Sequence, residues 1–202
     1  MPEEIREQTE YGLAIAIWNP GEPNEIRLGF SEYTKGGMMF RYSEEFWGPT
    51  YDQTGNTPVD QVKVGESATA EVFMAERALE KFAAIFPAAR LVRSAIDPNK
   101  VKLVWGGMIG QGLRKFSKPL ILRPIENLDP ENPENDIRDG DVTIYNAVPR
   151  AEFEFAFQLQ NERIYKVTFT ALPDKATGEM WSQGDDSITG DETNGDPPDP
   201  QD

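Results

Sequence analysis

Two neighbouring segments of alternating polarity constrain the fold most strongly. In residues 153–159 an apolar side chain occupies every second position, and residues 165–171 repeat this pattern. A period of two places the apolar side chains of a β-strand on one face. The residues 160–162 between the two segments have the length of a hairpin loop. The pattern therefore predicts an antiparallel β-hairpin with one buried face.

Shorter segments predict further strands, and one segment predicts a helix. Apolar residues in 75–86 recur at the i, i+3, i+4, i+7 spacing of an amphipathic helix, which Pro87 would end. In the strand predicted nearest the amino end, we expect Leu13, Ile15 and Ile17 to share a face. The fold class predicted is mainly β, an antiparallel β-sandwich or barrel with one flanking α-helix. Its other predicted strands are 11–18, 26–30, 38–42, 67–74, 101–105, 120–122 and 142–148.

The two ends of the chain differ in composition from the middle. We expect a flexible extension over 1–10, a β domain over 11–181 and a disordered acidic tail over 182–202. That tail holds seven carboxylates and three prolines but one large apolar residue, Ile188, so it has little to offset the entropy of ordering. No stretch approaches the ~18–20 apolar residues of a membrane-spanning helix, and the charged first ten residues do not resemble a signal peptide. We therefore expect a soluble protein made inside the cell.

The absence of histidine and cysteine excludes several functions. Among the 202 residues there is no Ser-His-Asp or Cys-His pair, no disulfide and no His or Cys ligand for zinc. Carboxylate chemistry such as glycoside hydrolysis stays open, because the separation of two carboxylates cannot be seen in a sequence. We expect a protein that is not an enzyme and has no cofactor or metal. A carbohydrate-binding β-sandwich is an alternative, with Trp18, Trp47, Trp105 and Trp181 as its stacking platform.

Three motifs superficially suggest a ligand site. Residues 106–112 are rich in glycine but follow G-x-x-G-x-G and lack the Gly-Lys-Ser/Thr ending of a phosphate loop, so we interpret them as a flexible loop. Residues 52–55 resemble an aspartic-protease loop only approximately and have no second copy. Residues 185–196 approach the spacing of a calcium loop but lack its final Glu, and we interpret them as part of the acidic tail.

The charge of −15 is unevenly distributed. Residues 1–60 carry 11 acidic and 4 basic groups, 61–125 carry 5 and 11, 126–181 carry 12 and 5, and 182–202 carry 7 and none. A basic middle between acidic flanks is suited to copies that associate through complementary surfaces. The net negative field disfavours tight binding of nucleic acid. A long polar connection, 43–61, is predicted to be a functional or mobile loop.

Four segments carry a resemblance to a known family. They are YDQTGNTPVD at 51–60, VGES at 64–67, EVFMAE at 71–76 and RIYKVTFTALPD at 163–174, with Gly-Asp following at 184–185. In this order and spacing they resemble the tail tube (major tail) proteins of bacteriophages and related phage-tail-like particles. The likeness extends over residues 11–185, and the acidic tail beyond it departs from the family pattern.

The resemblance implies a β-sandwich or barrel that assembles into hexameric rings, stacked into a tube that conducts DNA into the host. The expected partners are other copies of the chain and other tail proteins (terminator, baseplate or tip, and a sheath where the tail contracts). DNA would pass through an electronegative lumen without specific binding, and no membrane partner is implied. The expected location is the virion tail, after synthesis in the bacterial cytoplasm. The inner tube of a contractile injection system is an open alternative. Residues implied to contact the next ring are Glu44, Glu45, Phe46, Trp47, Tyr51, Asp52, Gln53 and Asp60.

Overall fold

The chain folds into antiparallel β-sheets with one α-helix in its described part, which confirms the predicted mainly β class. The computed structural model describes residues 13–29, 34–50, 57–74, 79–129, 132, 135–153 and 165–188. Within them, no helix is long and apolar enough to cross a membrane. The strands are β1 (Ala14–Trp18), β2 (Ile26–Leu28), β3 (Thr34–Trp47), β4 (Val62–Met74), β5 (Ala89–Arg93), β6 (Val101–Trp105), β7 (Lys118–Pro124), β8 (Val142–Glu152), β9 (Tyr165–Ala171) and β10 (Trp181–Gln183), and the helix is α1 (Leu79–Ile85).

Eight of these strands form one sheet in the order β2-β1-β7-β8-β9-β4-β3, with β10 beside β8. β9 and β10 lie end to end along the same side of β8. Residues 147–152 of β8 pair with β9, and residues 142–144 pair with β10. The other two strands, β5 and β6, form a separate hairpin. Every described pairing is antiparallel, as the short connections and alternating patterns predict.

The large sheet curves so that β1 and β9 face each other across its interior. The ring of Trp18 in β1 lies 5.2 Å from that of Phe169 in β9, although β7 and β8 separate these strands in the sheet. Helix α1 flanks this interior and buries Phe82 and Ile85. The arrangement is the sandwich-like fold with a flanking helix that was predicted. Its fully buried large side chains include Leu28, Val72, Phe82, Leu120, Ile144, Val167 and Phe169.

Strand β1 is buried on both faces. Ile15 and Ile17 are nearly as inaccessible as Ala16, whereas Leu13, which was expected to share their face, lies just before the strand and is 59% exposed. The second face of β1 can be buried because the described residues of 125–141, the connection after β7, fold back over it. The backbone N–H of Ile125 donates to the carbonyl oxygen of Leu13 at 2.9 Å, which ties that connection to the start of β1.

A buried ion triad holds the same connection to the sheet. Arg123 in β7 lies 2.5 Å from Asp136 through Nη1 and 2.6 Å from Asp141 through Nη2, and its Nε lies 2.9 Å from the other oxygen of Asp141. The hydrogen bonds of Asp141 raise the pKa of the guanidinium against the opposing effect of burial. An arginine fork matches a carboxylate in this bidentate way, and all three side chains are almost inaccessible. The triad therefore fixes the second layer over β1 and β7.

Several predicted boundaries are corrected by the structure. β3 continues to Trp47 and β4 begins at Val62, so 43–47 is strand rather than loop. β10 contains Ser182 and Gln183, so the boundary at 182 is too early, and the backbone N–H of Gly184 still donates to Asp141. The helix is described from Leu79 onward. Strands β5 and β10 were not predicted. The extension 1–10, the loop 160–162 and most of the strand 153–159 lie outside the described residues.

Candidate functional site

Strands β3 and β4 extend past the large sheet as a two-stranded ribbon. β9 pairs with β4 only over 69–74, whereas the pairing of β3 with β4 continues to Trp47 opposite Val62. We call residues 42–50 and 57–68 the β3–β4 arm. With a strand rise of ~3.3 Å per residue the arm extends about 20 Å beyond its last contact with β9. Of the arm residues, only Ala68 belongs to the buried core.

Aromatic rings anchor the base of the arm. Trp181 of β10 lies 4.8 Å from the ring of Phe40 and 5.3 Å from that of Tyr42, both in β3. Phe40 packs against the core, and Tyr42 begins the exposed part of the ribbon. Side chains on a strand alternate between faces, so residues 40, 42 and 44 continue the core-facing side of β3 into the arm. The arm therefore leaves the body of the protein at a fixed place.

A charged network occupies this face of the arm. Lys63 Nζ lies 2.7 Å from Glu44 Oε1 and 2.5 Å from Glu66 Oε2, and it donates to the Tyr42 hydroxyl at 3.1 Å. Glu44 and Glu66 are directly opposite each other in register, so without the ammonium group they would repel. The hydrogen bond from Lys63 lowers the pKa of each carboxyl, and these two partners raise the pKa of Lys63. The lysine thus holds the two strands of the arm together.

The far half of the arm exposes apolar side chains. Trp47 is 59% exposed, and Val62 opposite it is also exposed. A two-stranded ribbon is only marginally stable in water, and clustered exposed apolar residues mark interaction surfaces. The arm therefore has the composition of a surface that is covered by a partner. Its exposed apolar residues are Phe46, Trp47, Val59, Val62 and Val64.

The end of the arm is tightly packed at a glycine. A Cβ added to Gly48 would lie 2.6 Å from the Cβ of Pro58 and 2.7 Å from the carbonyl oxygen of Asp60. The N–H of Val59 donates to the carbonyl oxygen of Pro49 at 3.2 Å, so the two segments of the arm remain close beyond the last strand pair, Trp47 and Val62. Only glycine allows the backbone at position 48 to approach Pro58 and Asp60 so closely, and this close approach shapes the end of the arm.

The structure places the predicted inter-ring residues in two groups. Glu44, Glu45, Phe46 and Trp47 lie on β3 itself, which corrects the loop predicted for them, and Asp60 lies just before β4. Part of the arm was not predicted because charged residues in 43–47 obscured the strand, although residues 62–64 alternate in polarity. The further arm residues that were not predicted are Tyr42, Val62, Lys63, Val64 and Glu66. Three predicted residues, Tyr51, Asp52 and Gln53, lie outside the described part of the chain.

The tryptophans are dispersed rather than assembled into one platform. Trp18 is in the core, Trp47 is on the arm, and Trp181 packs at the base of the arm. Trp105 of β6 lies against Phe86, 5.1 Å between ring centres. Each described ring contact of Trp18, Trp105 and Trp181 is with a phenylalanine or tyrosine. The stacking platform expected for a carbohydrate-binding protein is not formed by these residues.

The other candidate sites are occupied by contacts within the chain. A cavity of about 450 Å³ over the second face of the sheet is lined by charged groups, but Arg27 pairs with Glu25 and Arg123 with Asp141. Residues 106–112 form a loop, as predicted. The next element in the chain is a three-residue 3₁₀ helix, Arg114–Phe116. Asp185 accepts hydrogen bonds from Ser187. Among the described residues no group of three or more acidic side chains is placed to hold a metal ion.

No protein-family model matches this sequence, and no curated protein matches it.

Proposed function

We propose that the chain is a structural subunit of a tail tube of the bacteriophage type, and that it assembles as stacked hexameric rings. The observation that supports this proposal best is the β3–β4 arm. Its far half has exposed apolar side chains and pairs with no third strand among the described residues. Such a ribbon gains stability when a neighbouring copy covers it. In a stacked ring the arm would contact the next ring.

The edges of the large sheet support the same proposal. β2 and β3 are the end strands in the described strand order, so each has one side without a neighbour. An unpaired strand edge invites association with another chain. Pairing of edges between copies related by rotation would close a ring, and translation of rings would build a tube. The resemblance of 51–60 and 163–174 to tail tube proteins is independent of these structural arguments.

The proposed role in DNA passage is supported by charge. The chain has 35 acidic against 20 basic groups, so a tube built from its copies carries a net negative charge that repels the phosphate backbone. DNA would slide through such a tube without binding specifically. The inner tube of a contractile injection system would use the same subunit geometry, and tubes purified from the native source with or without packaged DNA would separate these two functions.

The proposal is tested by shortening the arm. Ser43 and Ser67 are directly opposite each other, so residues 44–66 can be replaced by Asn-Gly, which closes a two-residue hairpin turn. The purified wild type is expected to form rings or tubes with sixfold end views in negative-stain electron microscopy, with light scattering that rises with concentration. The shortened chain is expected to keep its circular dichroism spectrum and melting temperature but form no stacks. Tubes of normal length from this variant, or a wild type that stays monomeric and gives no cross-linked oligomers at any concentration, would overturn the proposal.

A further inference from the structure

We infer that the β3–β4 arm of one copy docks on the outer face of the β5–β6 hairpin of a second copy. This inference rests on the proposed function, because it names the surface that receives the arm. The β5–β6 hairpin lies outside the large sheet and contacts helix α1. Ala89 and Leu103, which share one face of the hairpin by register, pack against the core. The opposite face is therefore available to a partner.

The outer face of the hairpin combines two cations with two apolar side chains. Arg90 lies opposite Val104, and Val92 lies opposite Lys102, so these four side chains share the face that points away from the core. Arg90 and Lys102 are exposed, and neither has an ion-pair partner in the described part of the chain. The two valines are half-buried. The face is thus an apolar strip with unpaired positive charge on either side.

The arm carries the complementary combination. Trp47 and Val62 form its exposed apolar pair, and an acidic residue stands two positions before each of them in the chain, Glu45 and Asp60. Lys63 is already engaged by Glu44 and Glu66, whereas Glu45 and Asp60 have no cation within reach among the described residues. A patch with an apolar centre and charged rim is typical of a protein interface, and opposite rims fix how two such patches meet.

Charge over larger segments agrees with this pairing. Residues 89–118, which include the β5–β6 hairpin and the loop after it, hold seven basic groups and one acidic group. The arm, residues 42–50 and 57–68, holds four acidic groups and one basic group. The hairpin offers five residue pairs, which is about 16 Å of surface and close to the length of the arm. The two surfaces are therefore opposite in charge and similar in apolar content and size.

Charge reversal on each surface tests the inference. One variant is Glu45→Lys with Asp60→Lys, and the other is Arg90→Glu with Lys102→Glu. Each is expected to raise the concentration at which assembly begins by about tenfold or more, because like charges then face each other. A mixture of the two variants, and the quadruple variant, should assemble as the wild type does. The control, Glu22→Lys with Glu126→Lys, makes the same change of net charge as the arm variant, at exposed positions outside both surfaces, and should leave assembly unchanged.

Failure of the inference and failure of the proposed function give different results. If shortening the arm abolishes stacking but the Arg90→Glu, Lys102→Glu variant assembles normally, the arm docks elsewhere and the inference is wrong while the function stands. If the two reversed variants fail singly and also fail when mixed, the surfaces do not face each other, which again overturns the inference. If the shortened chain itself forms normal tubes, the proposed function fails first. Sedimentation velocity over a concentration series measures all of these outcomes.

Discussion

The indole of Trp181 in β10 packs on the phenol ring of Tyr42 in β3, with 5.3 Å between the ring centres. These strands are not neighbours in the sheet, since β10 pairs with β8 and β3 pairs with β4. Trp181 lies directly opposite Ile144, a fully buried residue of the core. The contact therefore connects the base of the β3–β4 arm to the core through the last described strand.

Replacing Trp181 by alanine should destabilise the protein. The substitution removes the ring contacts with Phe40 and Tyr42 from a half-buried position, and we expect the free energy of unfolding to fall by about 2 kcal/mol. Urea denaturation followed by circular dichroism measures this change. Trp181→Phe keeps an aromatic ring and should lose less than half as much. An unchanged denaturation midpoint for Trp181→Ala would show that β10 does not anchor the arm.

The arm should respond to pH with opposite sign in the wild type and in Lys63→Met. Hydrogen bonds from Lys63 lower the pKa of Glu44 and Glu66 below the ordinary 4.5, so their stabilising effect is present above that value and is lost as the pH falls through the lowered one. In Lys63→Met the two opposed carboxylates repel at neutral pH, and protonation relieves the repulsion.

Hydrogen exchange distinguishes these two cases. Protection factors of the amides in 62–68, taken relative to those in 69–74, should fall in the wild type as the pH is lowered below 4.5. They should rise in Lys63→Met over the same interval. Raising the salt concentration should reduce both changes, because these groups are exposed. Parallel pH profiles for the two proteins would contradict the role assigned to Lys63.

Alanine at Gly48 should impair assembly without unfolding the core. Its Cβ would clash with Pro58 and with the backbone at Asp60, so the end of the arm must rearrange. Gly112→Ala is the matched control, since nothing lies within 4 Å of a Cβ there, and its effect on the free energy of unfolding should be below ~0.5 kcal/mol. Light scattering should show assembly shifted to higher concentration for Gly48→Ala alone. Equal assembly by both variants would mean that the shape of the end of the β3–β4 arm does not matter for assembly.

Removing Arg123 should be the most damaging of these changes. In Arg123→Met the carboxylates of Asp136 and Asp141 remain buried without a cation, which we expect to lower the free energy of unfolding by about 3–5 kcal/mol. Adding Asp136→Asn and Asp141→Asn removes the buried charge and should recover much of the loss. Arg27→Met breaks a more exposed pair and should change stability by less than ~1 kcal/mol. Similar thermal stability of Arg123→Met and Arg27→Met would contradict this account.

Part of the strand arrangement was predictable from the sequence and part was not. The alternation in residues 165–171 correctly predicted β9. This strand pairs with β8 on one side and β4 on the other, and one of its faces meets the core, so every second side chain is buried. Residues 43–47 carry the composition of a loop, yet they form strand because β4 pairs with them about 20 residues later in the chain. Strand formation depends on such distant pairing more than helix formation does, so polar composition did not exclude it.

The sequence by itself determined the mainly β class, the flanking helix, the segregation of charge and the lack of histidine and cysteine chemistry. These properties follow from the local period of apolar residues and from composition, which do not depend on what the chain contacts. Only the tertiary structure decided that β1 is buried on both faces, that β10 pairs with β8 end to end with β9, and that the arm projects beyond the sheet. The reason is physical: pairing and burial join residues far apart in sequence, and no local pattern specifies the partner of a strand.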